Sequence, residues 1–411
     1  MPGPTSRRRP SVPWLAVVLA VAVAAAACSG GGGDGDGPGG EPVVVGFINQ
    51  ERGTVGSFPE VRSDAEAAVR YVNRELDGVG GRPLKLETCA TDGTPESSQA
   101  CANQLRLKNP VAVVGGVDLG AAASIPVLDA AGIPYVGGSP SLGDELTRTN
   151  AYMLTGGVAA DLLGQAQYAI DTLKPRRVGL IYIDLPGLLS TAVEAARRVL
   201  AKKGVGDVTA VPEKADAADF TQSLTAVNRG NPEVIVALFP AQACARIMQA
   251  RKALAIKARF FFPGACADQA VFDASGGGAE GSYFASGFLS FTDRSSPDVA
   301  TYLDKRRAHG AGGTPPSVLS QAGFAVIVDL RQLLTEVQGP LSPAAVVAAL
   351  RASRAHPAFM SHPYTCDRQQ VFILSAVCNA NVRVLQYRDG ALVDVAGGWV
   401  NGAELVRLAV G

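Results

Sequence analysis

The stretch VAVVGGVDLGAAASIPVLDAAGIPYVGGSP, Val111–Pro140, decides the fold. An apolar run ends in two glycines, an alanine-rich helical segment follows, and a second apolar run again ends in two glycines. Strands that are apolar on both faces and alternate with helices belong to a parallel sheet covered on both sides. In such sheets ligands sit outside the carboxyl ends of the strands, where loops lead into helices. Glycine lets a ligand approach the backbone, and free N–H groups beside serine hydroxyls suit an anion such as a carboxylate. The loops Gly115–Gly120 and Gly137–Ser141 are therefore the first candidate site, and neither carries a lysine.

The same alternation extends in both directions. VVVGFI (43–48) precedes a helix in which Ala65, Ala68, Val69, Val72 and Leu76 recur at helical spacing, and LKLET (84–88) precedes ESSQACANQLRL. After AYMLTG (151–156) a second set begins with RVGLIYID (177–184) and continues through EVIVALF (233–239), ARFFFPG (258–264) and GSYFASGF (281–288). Asp219 with Gln222 reads as a capping box, and Gly230-Asn231-Pro232 stops that helix. Long helices over 296–308, 317–339 and 342–355 cannot extend the second sheet and fit better on the first half. A hairpin turning at Asp389-Gly390 comes after them, so the chain is expected to cross between halves more than once.

The N-terminus bears on where the body works. Arg7, Arg8 and Arg9 precede an apolar run from Trp14 to Ala27, the layout of an export signal. As a helix this run would reach only ~21 Å against a hydrocarbon core of ~30 Å, too short for a permanent span. Ala25-Ala26-Ala27-Cys28 resembles a bacterial lipobox, with Ala25 where leucine is usual. That resemblance makes residues 1–27 a lipoprotein signal and Cys28 the lipidated new N-terminus. A plain signal cut near Ala27 is the competing reading, and both export the chain. Arg7-Arg8 after Ser6 matches the start of a twin-arginine signal, whereas Arg9-Pro10-Ser11 breaks its continuation, so the export route stays open. Ser29–Pro42 has no side chain able to pack and reads as a slack tether, making 28–42 anchor and linker.

Composition excludes several classes. The chain has 411 residues, with 37 basic and 37 acidic side chains, so nucleic acid is not an expected partner. A body of this length calls for two lobes. Besides Cys28 there are six cysteines, which permit 15 pairings. They cluster at separations of 12, 22 and 12 positions, and an exported chain sits where disulfides persist. Three local bridges are expected: Cys89 with Cys101, Cys244 with Cys266, and Cys366 with Cys378. The competing zinc reading lacks any CxxC and has only His309, His356 and His362 to draw on. No metal or cofactor is expected. GGVDLG fails the dinucleotide fingerprint because Val117 occupies a required glycine position, and no P-loop or G-x-S-x-G is present. The expectation is a binding protein and not an enzyme.

The signal with its lipobox, VVVGFINQERGTVGSFPE, GVGGRPLKLE, CATDGTPESSQACANQ and VAVVGGVD in this order resemble the type I periplasmic binding proteins. Within these, the chain is similar to the leucine/isoleucine/valine-binding branch, the substrate receptors of ABC importers, from Val43 to its end. The resemblance implies an α/β fold of two Rossmann-like lobes with parallel sheets, joined by three crossovers near Thr155, Gly287 and Ser361. Lobe I would then comprise 43–154 plus 288–360, and lobe II 155–287 plus 361–411. It further implies a monomer outside the cytoplasmic membrane that delivers a small polar ligand to an ABC permease and its ATPase.

By the same resemblance, Gly116, Val117, Asp118 and Leu119 with Gly138, Ser139 and Pro140 would hold an amino acid's carboxylate. Asn49, Gln50 and Val55 would line the side-chain end. Asp184 and Leu185, Phe239 and Gln242, and Ala265 would close from the second lobe. Similar proteins supply an acid for the ligand's ammonium from the loop that here reads Gly264-Ala265-Cys266. That charge would have to come from Asp184 or Asp268, or the ligand has no ammonium. Structural readings compete at several positions: Asp118 as a cap for its helix, Phe239 as core, Gly138-Ser139 as a tight turn, and Asp184 as a prop for its own loop. A sensor that feeds a signalling partner and an exported hydrolase remain the alternatives of class.

Overall fold

The computed structural model describes residues 38–53, 56–141, 143–183, 189–214 and 216–410, with only the backbone given for 189–192. The export signal, Cys28 and most of the tether lie outside the described residues, as do Val55, Asp184 and Leu185.

β1 (Val43–Gln50) is buried along nearly all its length, as a central parallel strand must be. It pairs in parallel with β2 (Leu84–Thr91) and β3 (Ala112–Gly115). β4 (Tyr135–Gly137) and β5 (Ala151–Met153) complete a parallel sheet of order β2-β1-β3-β4-β5. Between these strands run α1 (Pro59–Glu75), α2 (Pro95–Arg106) and α3 (Ala121–Ala130). The strand order reverses beside β1, so the loops after β1 and β3 flank the switch point where open α/β sheets bind ligands.

α4 (Gly157–Tyr168) opens the second lobe, followed by β6 (Arg177–Ile183), α5 (Leu189–Lys202), β7 (Asp207–Glu213) and α6 (Thr221–Val227). β8 (Val234–Leu238), α7 (Ala241–Ala253), β9 (Arg259–Phe262), α8 (Gln269–Ala274) and β10 (Tyr283–Ser286) continue the plan. The parallel part of this sheet has the order β7-β6-β8-β9-β10 and repeats the first sheet's layout. α6 departs from its expected capping box. Asp219 accepts from the N–H and hydroxyl of Thr221 ahead of the helix, and Phe220 is the cap position.

The long helices then return to the first lobe. α9 (Pro297–Arg306), α10 (Val318–Glu336) and α11 (Pro343–Ala352) precede the strands β11 (Asn381–Arg388), β12 (Ala391–Asp394) and β13 (Val400–Asn401) and the final α12 (Glu404–Val410). α10 is long and apolar enough to cross a membrane, yet most of it is buried against α1, α9 and α11, as a core helix. β11 and β12 extend the second sheet in antiparallel fashion. Asp389 and Gly390 form the turn between them, both with positive φ.

The connections between lobes lie side by side. Phe288 pairs with Ser361, whose hydroxyl donates to Gly287 O at 2.6 Å, and a Cβ on Gly287 would lie 3.0 Å from the Thr155 Cβ. Gly157 just beyond has φ of 50°, and any Cβ there would collide with the Pro140 carbonyl. After Ser361 the chain runs beside the first sheet. Val377 pairs in parallel with Met153, so the Cys366–Cys378 loop extends the edge of the first sheet. Asn379, whose amide donates to His362 O at 3.0 Å, then leads into β11. Unpaired β5 backbone takes this partner before the chain leaves.

Candidate functional site

The first-lobe loops are braced from beneath. The Asn49 amide donates to Phe58 O at 2.8 Å, and its Oδ1 accepts from Val117 N–H at 3.1 Å. The Gln50 amide donates to Gly56 O at 2.8 Å, and Gln50 N–H to Val117 O at 2.7 Å. Both side chains are buried and tie the end of β1 to the start of α1 and the loop after β3. Asp118 accepts from the hydroxyl of Ser98 at 2.7 Å, from Gly120 N–H at 3.1 Å and from the hydroxyl of Ser124 at 3.1 Å. Burial pushes its carboxyl up, against those hydrogen bonds. Asp118 thus braces its own loop against α2 and α3, while the cap position of α3 is Gly120, without a side-chain cap.

What these loops present is backbone. Val117 is buried, Leu119 stands exposed at the rim, and Gly116 is packed so that a Cβ would lie 2.6 Å from Asn49 Oδ1. In the second loop Gly138 O accepts from the Thr155 hydroxyl at 2.6 Å, and Pro140 O from Val158 N–H at 3.1 Å. Ser141 N–H donates to the buried Glu145 carboxyl at 2.8 Å. Ser139 is half-buried. Among the described residues, nothing accepts from the N–H groups of Leu119 and Ser139 or from the Ser139 hydroxyl.

The second-lobe loops are held differently. Cys244 at the start of α7 is bonded to Cys266 after β9, and the other two expected bridges, Cys89–Cys101 and Cys366–Cys378, also form. Phe239 is core, its ring edge-on to Phe220 at 5.2 Å. The reason is its packing against Phe220, which draws this side chain into the core. Gln242 is exposed and Ala265 half-buried. Asp268 caps α8 through Ala270 N–H at 2.6 Å and Val271 N–H at 3.3 Å.

Three residues that the sequence reading passed over converge here. Asp161 on α4 accepts from Gly264 N–H at 3.2 Å, and burial pushes its carboxyl up to about 8. Glu60 in the first turn of α1 is raised to about 7, mainly by burial, with Asp268 and Asp64 adding repulsion. Ser317, the cap of α10, pairs with Asp268, and Val318 N–H donates to Ala267 O at 3.3 Å. The lobes thus meet where the α10 N-terminus touches the Gly264–Asp268 loop. A lone acid in the apolar helix segment DLLGQ marks Asp161 as unusual, though nothing local in the sequence gives its partner. Among the described residues, no cluster of three or more His, Cys, Asp or Glu is placed to hold a metal ion.

These features define a two-lobed binding fold. The periplasmic binding protein family model matches residues 42–391, and the chain belongs to this family. It is similar in fold to a branched-chain amino acid ABC transporter protein from Thermus thermophilus with bound valine, at 17% identity and TM-score 0.73, covering 91% of this chain and 100% of that one. An ABC transporter substrate-binding protein from Sphaerobacter thermophilus is 18% identical with TM-score 0.73, over 88% and 99% of the two chains. A solute-binding protein from Rhodopseudomonas palustris in complex with 3,4-dihydroxybenzoic acid is 14% identical with TM-score 0.71, over 88% and 98%. None of the curated proteins matches the chain.

Proposed function

We propose that this is a lipid-anchored, extracytoplasmic receptor of an ABC importer that captures a small carboxylate-bearing solute, an amino acid or a relative that keeps the carboxylate, by closing its lobes. The observation that carries this reading is the pair of first-lobe loops in which Asn49, Gln50 and Asp118 are spent on bracing while, among the described residues, the N–H groups of Leu119 and Ser139 and the Ser139 hydroxyl stay open. Fixed donors of this kind fit a carboxylate. Valine and 3,4-dihydroxybenzoic acid, bound by two proteins of similar fold, both carry one.

The opposite charge has weaker provision. Gly264-Ala265-Cys266 offers no acid, Asp268 is committed to capping α8, and Asp161 lies behind Gly264 with its carboxyl pushed towards the neutral form. The reading therefore places the carboxylate as the main anchor and leaves Asp184 to meet an ammonium. Open and closed forms interconvert, and a ligand that touches both lobes favours the closed one, which the permease with its ATPase recognises. The receptor acts as a monomer, held to the membrane by Cys28.

The test is a thermal-shift screen of the full chain against amino acids, their amides and small aromatic and aliphatic carboxylates. Stabilisation by carboxylates and not by the matching amides is expected. A ligand set without a carboxylate would overturn the reading.

A further inference from the structure

A second site lies at the opposite end of the first sheet. The cleft loops follow the strands, whereas Thr149 precedes β5, and a cavity of about 430 Å³ opens beside it. Its walls include Arg351, Arg354 and Arg368, Asp367, and the Cys366 half of the Cys366–Cys378 bridge. Three guanidiniums against one carboxylate leave a positive excess along this open hollow, with Arg351 and Arg354 exposed and Arg368 half-buried.

The three arginines do different things. Arg368 is fixed: its guanidinium lies 4.1 Å over the Tyr152 ring and donates to Ala151 O at 2.7 Å and Thr149 O at 2.5 Å. Arg354 uses one terminal nitrogen on Arg351 O and Ser353 O, both at 2.8 Å, which satisfies the end of α11. Arg351 donates through Nε to the Tyr152 hydroxyl at 3.0 Å. That bond orients the side chain and leaves both terminal nitrogens without a partner among the described residues. The one acid, Asp367, already accepts from Gln369 N–H at 2.9 Å and the Gln370 amide at 3.0 Å. A capping role accounts for one nitrogen of Arg354 and for nothing in the open fork of Arg351.

We infer that this cavity is an oxyanion site, taking a phosphate-type group between the open nitrogens of Arg351 and Arg354, on a floor fixed by Arg368, Tyr152 and the disulfide. A planar guanidinium fork matches such a group bidentately. Inorganic phosphate in solution and the phosphate of a lipid headgroup share this chemistry. The site is independent of what the cleft holds.

The test is calorimetric titration of the full chain with inorganic phosphate and, as headgroup analogue, glycerol phosphate. One saturable site, weakened by added salt, is expected, with loss of about tenfold in affinity for each of Arg351→Gln and Arg354→Gln. Arg351→Lys keeps the charge without the fork and should fall between. Tighter binding of glycerol phosphate assigns the site to a headgroup, and tighter binding of phosphate to the free ion. A single cooperative thermal unfolding transition in each variant verifies that they fold. Absence of saturable binding of both probes, or binding equal in wild type and the double variant, would overturn the inference.

Discussion

The two faces of the cleft are built by different means. In the first lobe, Asn49, Gln50, Asp118 and Glu145 hold the loops through hydrogen bonds alone. In the second, the Cys244–Cys266 bond and one carboxylate, Asp161, hold the loop that lacks the expected acid. The first lobe therefore offers a fixed set of backbone donors. The second offers a stapled wall whose buried carboxyl is poised between charge states.

The largest expected effect is on pH dependence, because in each lobe a buried carboxyl is raised to about 8. These are Asp161 in the second lobe and Asp329 in the first, with Phe359 N–H donating to Asp329 at 2.6 Å. Each is neutral in the fold and ionised in the unfolded chain between pH ~4 and ~8. Their stabilisation is full below that window and lost as pH rises through it, by up to about 1.4 kcal/mol per pH unit for each group. Denaturant melts across that range should show Asp161→Asn and Asp329→Asn each flattening the slope. Only Asp161→Asn should also alter solute affinity; an equal change in Asp329→Asn would erase the contrast between the lobes.

Removing the staple comes next. Cys244→Ser with Cys266→Ser should cost about 3 kcal/mol of unfolding free energy, from a loop of 22 positions. Asp118→Ala should cost about 2 kcal/mol, since it strands the Ser98 hydroxyl and the Gly120 N–H in a buried site, while the Ser124 hydroxyl keeps Ala121 O. It should also weaken solute binding, by releasing the loop that carries Leu119. The smallest effect is Ser139→Ala, which should weaken solute binding by about 1 kcal/mol in calorimetry and leave the melting temperature of the free protein in place.

The strands and helices were legible because hydrophobic period is local, as Val43–Gln50 and Val111–Pro140 illustrate. The disulfides were legible because each pair lies close in sequence. The bracing network was only half legible. Asp118 announced itself as polar within a glycine loop, but whether it faces ligand or helix depends on Ser98, 20 positions earlier. Phe239 was drawn towards the cleft by its place at a strand end, whereas packing against Phe220 turns it inward. Asp161 meets Gly264 across 103 positions, and no local pattern encodes such a contact. The course of the chain after Ser361 depends on the open edge of β5, which is visible only once the sheet is assembled.

The most direct measurement is small-angle X-ray scattering of the full chain with and without the solute that the thermal screen selects. Closure of two lobes around a carboxylate predicts a smaller radius of gyration in the bound form, with the change diminished in Ser139→Ala at the same concentration. A solute that raises the melting temperature and leaves the radius of gyration unchanged would contradict the account.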